Sequence, residues 1–280
     1  MSQSKISILQ STPLRPSDIV IATHPKCGTT LMQQIILTLL ASGDKNIVKE
    51  PMVLSKWAEM TVSNSNVSSL TDWIPDQSTQ PSIETPRRVI KTHAPYHLRP
   101  WSSQSSAKVV VVSRNPGDAC VSMWHHSLDI PAFRYTANFS HFWNFLYSKG
   151  KVEHGNFWLW HSGWYNYLQN GGDVLWVKFE DIKENPEREI RRIAEYCCIE
   201  VSDEVIWKTV KASSFKNTKK TADTINADKA SKGIRFKKNH IRKGESGKWR
   251  KTFGEESDGF EMFHVGKCRE LEMPLNLFPM

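Results

Sequence analysis

No apolar run among the 280 residues approaches the roughly 20 needed to span a bilayer. The first 16 residues are polar and carry no signal-peptide core. A membrane-anchored protein is therefore not expected, and a flexible N-terminus over 1–16 in a cytoplasmic protein is. Cysteine is scarce and odd in number: Cys27, Cys120, Cys197, Cys198 and Cys268 form no C-x-x-C pair and have no histidine at metal-ligand spacing. That pattern excludes a disulfide scaffold, indicates a reducing compartment and points to no metal. Internal repeats are missing, and so is the order G-x-x-x-x-G-K-[ST], in which glycines precede the lysine and the final hydroxyl binds Mg²⁺.

What is present begins with charge. Thirty-seven Lys and Arg against 29 Asp and Glu give a formal charge of +8, which suits a polyanionic small molecule, a nucleic acid or an anionic membrane equally. The basic residues concentrate between Lys208 and Lys251, a stretch poor in large apolar residues that reads as a mobile basic segment, with 214–245 arching over a ligand. The most informative run is His24-Pro25-Lys26-Cys27-Gly28-Thr29-Thr30, set between an apolar strand and an amphipathic helix. A helix N-terminus offers unpaired N–H groups and the positive end of its dipole. Thr29 and Thr30 add hydroxyls and Lys26 a mobile charge, so a phosphate or sulfate ester is the natural guest.

Periodicity gives strand-like runs at 18–24, 88–92, 108–113 and 174–179, rich in Val and Ile as in strands buried on both faces. Helical patterns cover 30–42, 118–128, 139–148, 157–169, 186–197 and 202–211, with Pro186 well placed at a helix start. The alternation implies an α/β single domain over 1–280: a central parallel sheet flanked by helices, with a P-loop-like strand-loop-helix and ligands beyond the carboxyl ends of the strands. Lys26, His93 and Arg114 each follow such a strand. A Ser/Thr/Asn-rich stretch at 61–82 reads as a long surface loop.

Three further blocks accompany the loop: Arg87-Arg88-Val89-Ile90-Lys91-Thr92-His93-Ala94-Pro95, Val111-Val112-Ser113-Arg114-Asn115-Pro116-Gly117-Asp118-Ala119-Cys120-Val121-Ser122, and Ile241-Arg242-Lys243-Gly244-Glu245-Ser246-Gly247-Lys248-Trp249. In this order they resemble the signature blocks of the cytosolic sulfotransferases. The resemblance implies 3′-phosphoadenosine 5′-phosphosulfate (PAPS) as donor and 3′,5′-adenosine bisphosphate (PAP) as product, with no metal. It implies His93 as general base, with Lys26 and Lys91 beside the transferring group. The phosphosulfate would lie on Lys26, Cys27, Gly28, Thr29 and Thr30, with Leu31 beside the adenine. Arg114, Ser122, Arg242, Lys243 and Gly244 would hold the 3′-phosphate, and Phe179, Ser213 and Phe215 the nucleoside.

The chain departs from the family pattern in places. Leu31 stands where a tryptophan usually stacks on adenine, Phe179 in Phe179-Glu180-Asp181 replaces a tyrosine, Cys27 replaces a serine, and Lys248 stands where aspartate is common. The dimerisation segment of many vertebrate members is not matched in 249–259, which favours a monomer. The acceptor would be a small molecule, by O- or N-sulfation: phenol, alcohol, amine, guanidinium or N-hydroxy group. Trp124, Phe133, Tyr135, Phe139, Phe142, Trp143 and Phe145 offer aromatic walls, and Asp129, Glu84 or Asp76 a carboxylate for a cationic acceptor. No role as a nucleic-acid or membrane binder is implied. A P-loop-type nucleotide phosphotransferase is the alternative enzyme, weakened because Cys27, not a hydroxyl, follows the loop lysine.

Overall fold

The computed structural model describes residues 3–44, 54–60, 87–102, 105–220 and 246–280. Strands β1 (Ile19–Thr23), β2 (Ser55–Trp57), β3 (Val89–Thr92), β4 (Lys108–Ser113) and β5 (Val174–Lys178) form one sheet in the order β2-β3-β1-β4-β5. Every pairing is parallel. Four strands coincide with the Val/Ile runs. The three-residue β2 shows no such pattern; it forms because the edge of β3 supplies its hydrogen-bond partners, setting Trp57 opposite Lys91.

Successive residues of a strand face opposite sides, and both sides here are apolar. Ile19, Ile21, Val110, Val112 and Val177 pack against α2 (Thr29–Leu40), α7 (Pro186–Tyr196) and α8 (Asp203–Ser213). Val20, Ala22, Ile90, Val109 and Val111 meet Trp160 and Trp164 of α5 (Phe157–Gln169). Each such side chain contributes about 1.5–3 kcal/mol on burial, which makes the sheet a stiff base for what projects from it. Its lower end is pinned by a buried ion pair, with Arg88 Nε donating to Asp18 Oδ1 at 2.7 Å. Asp18 is thus held by its side chain just before β1 begins.

A third apolar cluster joins Cys27 to α3 (Pro116–Asp129), α9 (Trp249–Phe253) and α10 (Ser257–Glu270). Neither α9 nor α10 shows a clear apolar stripe in the sequence. The helix expected over 139–148 begins as α4 (Phe139–His141) and widens into a π-helical turn, Phe142–Tyr147. That turn brings Phe142 and Tyr147, five residues apart, to a ring separation of 6.1 Å in the same cluster.

The N-terminus is helical over α1 (Gln3–Ser11), because Leu9 and Leu14 are buried and Gln10 Nε2 donates to the His97 carbonyl at 2.9 Å. The basic stretch from Lys208 is ordered at its start: α8 carries Lys208 paired with Glu204 at 2.8 Å, and 215–220 are helical. Residues 221–245 and the stretch 61–82 lie outside the described residues.

Connections from β1 run to β3 on one side and then return to β4 on the other. The carboxyl ends of these three neighbouring strands therefore flank the crevice where α/β sheets bind ligands, and Lys26, His93 and Arg114 leave the sheet there.

Candidate active site

The loop after β1 is built from two left-handed residues, Lys26 at φ 71° and Gly28 at φ 105°. Glycine is required at 28 for space as well, since a Cβ there would lie 2.6 Å from the Phe179 ring. Gly28 caps α2 without any side-chain hydrogen bond, and the first turn holds no acidic residue. The dipole end is thus unopposed. Thr29 is buried, its Oγ1 2.6 Å from Thr23 Oγ1, while Thr30 is half-buried. Burial, then the nearby charges of Arg114 and Lys91, lower the Lys26 ammonium to about 8. Three cations crowded together and facing an uncapped helix end fit a group with several negative charges.

The Cys27 thiol is fully buried in the apolar cluster, where burial raises it above the ordinary thiol range, and its N–H donates to the His24 carbonyl at 3.2 Å. Leu31 is half-buried and packs against the core of α2 and the sheet.

His93 stands at the end of β3 with its imidazole buried. Its Nδ1 lies 2.7 Å from the Thr23 carbonyl, a contact only an N–H can satisfy, so Nε2 carries the lone pair. Nδ1 also lies 3.2 Å from Thr23 Oγ1. Trp160 Nε1 donates to the His93 carbonyl at 2.9 Å, and Glu59 Oε1 accepts the His93 N–H at 2.8 Å. Burial, then the charges of Lys91 and His154, hold the imidazole well below the usual histidine range, against the opposing pull of the Thr23 carbonyl. It is neutral at pH 7. The Lys91 ammonium sits 4.3 Å from the centre of the Trp57 ring, and that ring meets His93 edge-on at 5.2 Å.

On the far side of the loop, Arg114 Nη1 donates to the Lys26 carbonyl at 3.0 Å, and its guanidinium lies 4.7 Å from the Phe179 ring centre. Phe179, the first residue of α6 (Phe179–Glu184) and 9% exposed, is therefore a floor beneath Gly28 and Arg114. Ser122 is half-buried on α3, one turn beyond Asp118 and on the same face. Asp118 Oδ2 accepts the Gly247 N–H at 2.7 Å, and Trp249 lies against Gly117. Gly247 and Trp249 of the C-terminal glycine block thus dock on the helix that carries Ser122. Ser213 is buried with its hydroxyl donated to its own helix at Thr209, 2.8 Å, whereas Phe215 is 41% exposed. Arg242, Lys243 and Gly244 lie outside the described residues, as do Glu84 and Asp76.

A family model described as "Sulfotransferase domain" matches residues 16–263. The chain belongs to the sulfotransferase family. Among similar proteins, sulfotransferase 1E1 of Bos taurus is 28% identical over 241 residues, 85% of this chain and 79% of that one. Sulfotransferase 1B1 of Canis lupus familiaris is 30% identical over 251 residues, again 85% and 79%. Among solved structures, retinol dehydratase in complex with androsterone and inactive cofactor PAP superposes with a TM-score of 0.79 at 20% identity, covering 95% of this chain and 84% of that one; it supports the fold.

The candidate site contains residues the sequence did not single out. Thr23 joins the loop to His93. Glu59 holds the His93 segment, Oε1 also accepting Thr92 Oγ1–H at 2.8 Å. His154, in the left-handed region at φ 66°, lies 5.1 Å from His93 ring to ring. Glu153 sits between His126 and His154, at 3.7 and 3.6 Å. Burial would raise its carboxyl, but those two imidazoles hold it well below the usual carboxylate range. Of the aromatic walls, Phe139, Phe142 and Trp143 are core, Phe133 is exposed beside His126, and Phe145 is exposed. His24 is buried under the loop and lowered to about 4, chiefly by burial. Among the described residues, no cluster of three or more His, Cys, Asp or Glu could hold a metal, and no helix is long and apolar enough to cross a membrane.

Proposed function

We propose that this sulfotransferase takes PAPS as donor and that Nε2 of His93 is the base that deprotonates a hydroxyl or amine of a small acceptor. The observation that carries the reading is the His93 Nδ1–Thr23 carbonyl contact of 2.7 Å, which fixes the tautomer and leaves Nε2 as the basic atom. When bound, the nucleotide supplies the sulfonate and a phosphate leaving group. Lys26 and the N–H groups at the start of α2 hold the negative charge that grows on the leaving oxygen, and Lys91, near both Lys26 and His93, is assigned to the transferring group. Neutralising Lys91 with an anion removes part of the charge that depresses His93, so the base strengthens once the donor is in place.

Arg114 and Ser122 are assigned to the 3′-phosphate, joined by Arg242, Lys243 and Gly244. The docking of Gly247 on Asp118, one turn before Ser122, supports that grouping. Phe215 is assigned to the adenine face. Five free cysteines agree with a reducing cytoplasm, and a monomer is proposed.

The test is His93→Ala. Turnover with labelled PAPS should fall by at least ~10²-fold, the usual range for a lost general base, while PAP affinity stays within about twofold. Retained turnover would take the base elsewhere.

A further inference from the structure

Glu59 divides its two oxygens unequally. Oε1 accepts two hydrogen bonds at 2.8 Å, from Thr92 Oγ1 and from the His93 backbone, so the carboxyl group is tied to the segment that carries the base. Oε2 is buried on a side chain only 9% exposed and has no hydrogen-bond partner among the described residues. A buried acceptor without a donor is costly in a native protein, and such atoms mark places where a ligand completes the bonding. The orphan stands at the carboxyl end of β3. Two residues earlier, Trp57 presents its ring to His93 at 5.2 Å and to His154 at 5.8 Å, giving a flat wall next to the carboxyl group.

We propose that Glu59 Oε2 accepts a hydrogen bond from a second N–H or O–H group of the acceptor, adjacent to the group that His93 deprotonates. The inference rests on His93 being the base. It selects a class of acceptor: vicinal diols and catechols, aminophenols, or amidine-like nitrogens, in which one heteroatom is sulfonated while its neighbour is held by the carboxylate. Glu59 then has two parts, one oxygen positioning His93 and the other reading the substrate. The tie between them fixes the distance from the recognised donor to the base.

The test compares 2-aminophenol and catechol with phenol as acceptors, in the unaltered enzyme and in Glu59→Gln. Gln keeps a carbonyl oxygen for Thr92 and His93 but turns an NH₂ donor toward the position of Oε2. The unaltered enzyme should favour the two-donor acceptors in kcat/KM, and E59Q should lower that preference about tenfold, the size of one hydrogen bond to a charged group. PAP affinity and the unfolding midpoint, measured on the same samples, report that the variant is folded. Equal losses on phenol and on the two-donor acceptors would reduce Glu59 to positioning and overturn the proposal, as would an unchanged preference. A fully active His93→Ala enzyme would instead overturn the assignment of the base on which the proposal stands.

Discussion

Raising the pH should loosen nucleotide binding through one identifiable group. Lys26 is lowered to about 8 by burial and by the neighbouring Arg114 and Lys91, so it loses its proton in a range where arginine does not titrate. Nucleotide phosphates are already fully ionised there, with a second pKa of about 6. If only the ammonium form binds PAP, the dissociation constant scales as one plus the ratio of neutral to charged lysine. It then rises about twofold from its acidic limit at pH 8 and about tenfold at pH 9. The sign is checked by linkage: above pH 8 the free protein has lost the proton that the complex requires, so binding takes up close to one proton, about 0.8 at pH 8.5. Isothermal titration in two buffers of different ionisation enthalpy reads both quantities. Lys26→Met should bind PAP more weakly at pH 7 and lose the slope. A dissociation constant that is flat from pH 7 to 9, with no proton uptake, would refute the assignment of Lys26 as the anion partner.

Arg114→Ala removes the donor to the Lys26 carbonyl as well as a charge at the phosphate, so PAP affinity should fall by about 2 kcal/mol, with a lower unfolding midpoint as a second effect. Unchanged affinity would move the 3′-phosphate elsewhere. Glu180, whose Oε1 accepts the Asn115 N–H at 3.0 Å, is raised by burial to about 7. Below pH 4.5 both folded and unfolded states hold this proton; between 4.5 and 7 only the folded state does, so the stability associated with it declines as pH rises and is gone above 7. Glu180→Gln, neutral throughout, should therefore match the parent near pH 4.5 and exceed it by about 3 kcal/mol at most at pH 8, read by urea unfolding across that range. An equal difference at both ends would contradict the burial argument.

The parallel sheet and the strand-end positions of Lys26, His93 and Arg114 are readable in the sequence because a strand buried on both faces must be a continuous Val/Ile run. Glu59 and Trp57 are not, since β2 is only three residues long and owes its existence to the edge of β3. Thr23 is hidden for a different reason: its backbone carbonyl, which no sequence pattern advertises, sets the His93 tautomer. The burial of the Cys27 thiol is not readable either: the left-handed turn at Lys26, which no motif announces, leaves it in the apolar cluster. Helices α9 and α10 escaped because their packing is aromatic and clustered, not striped.

Thr23 touches both halves of the chemistry: its hydroxyl meets Thr29 on the anion loop, and its hydroxyl and carbonyl both meet the imidazole on the neighbouring strand. Because Nδ1 carries its proton, the Thr23 oxygen can only accept from it, which leaves the Thr23 hydroxyl proton for the Thr29 oxygen. The anion loop and the imidazole thus share one side chain as a hydrogen-bonding neighbour. Thr23→Val would remove the shared hydroxyl while sparing the carbonyl that sets the His93 tautomer.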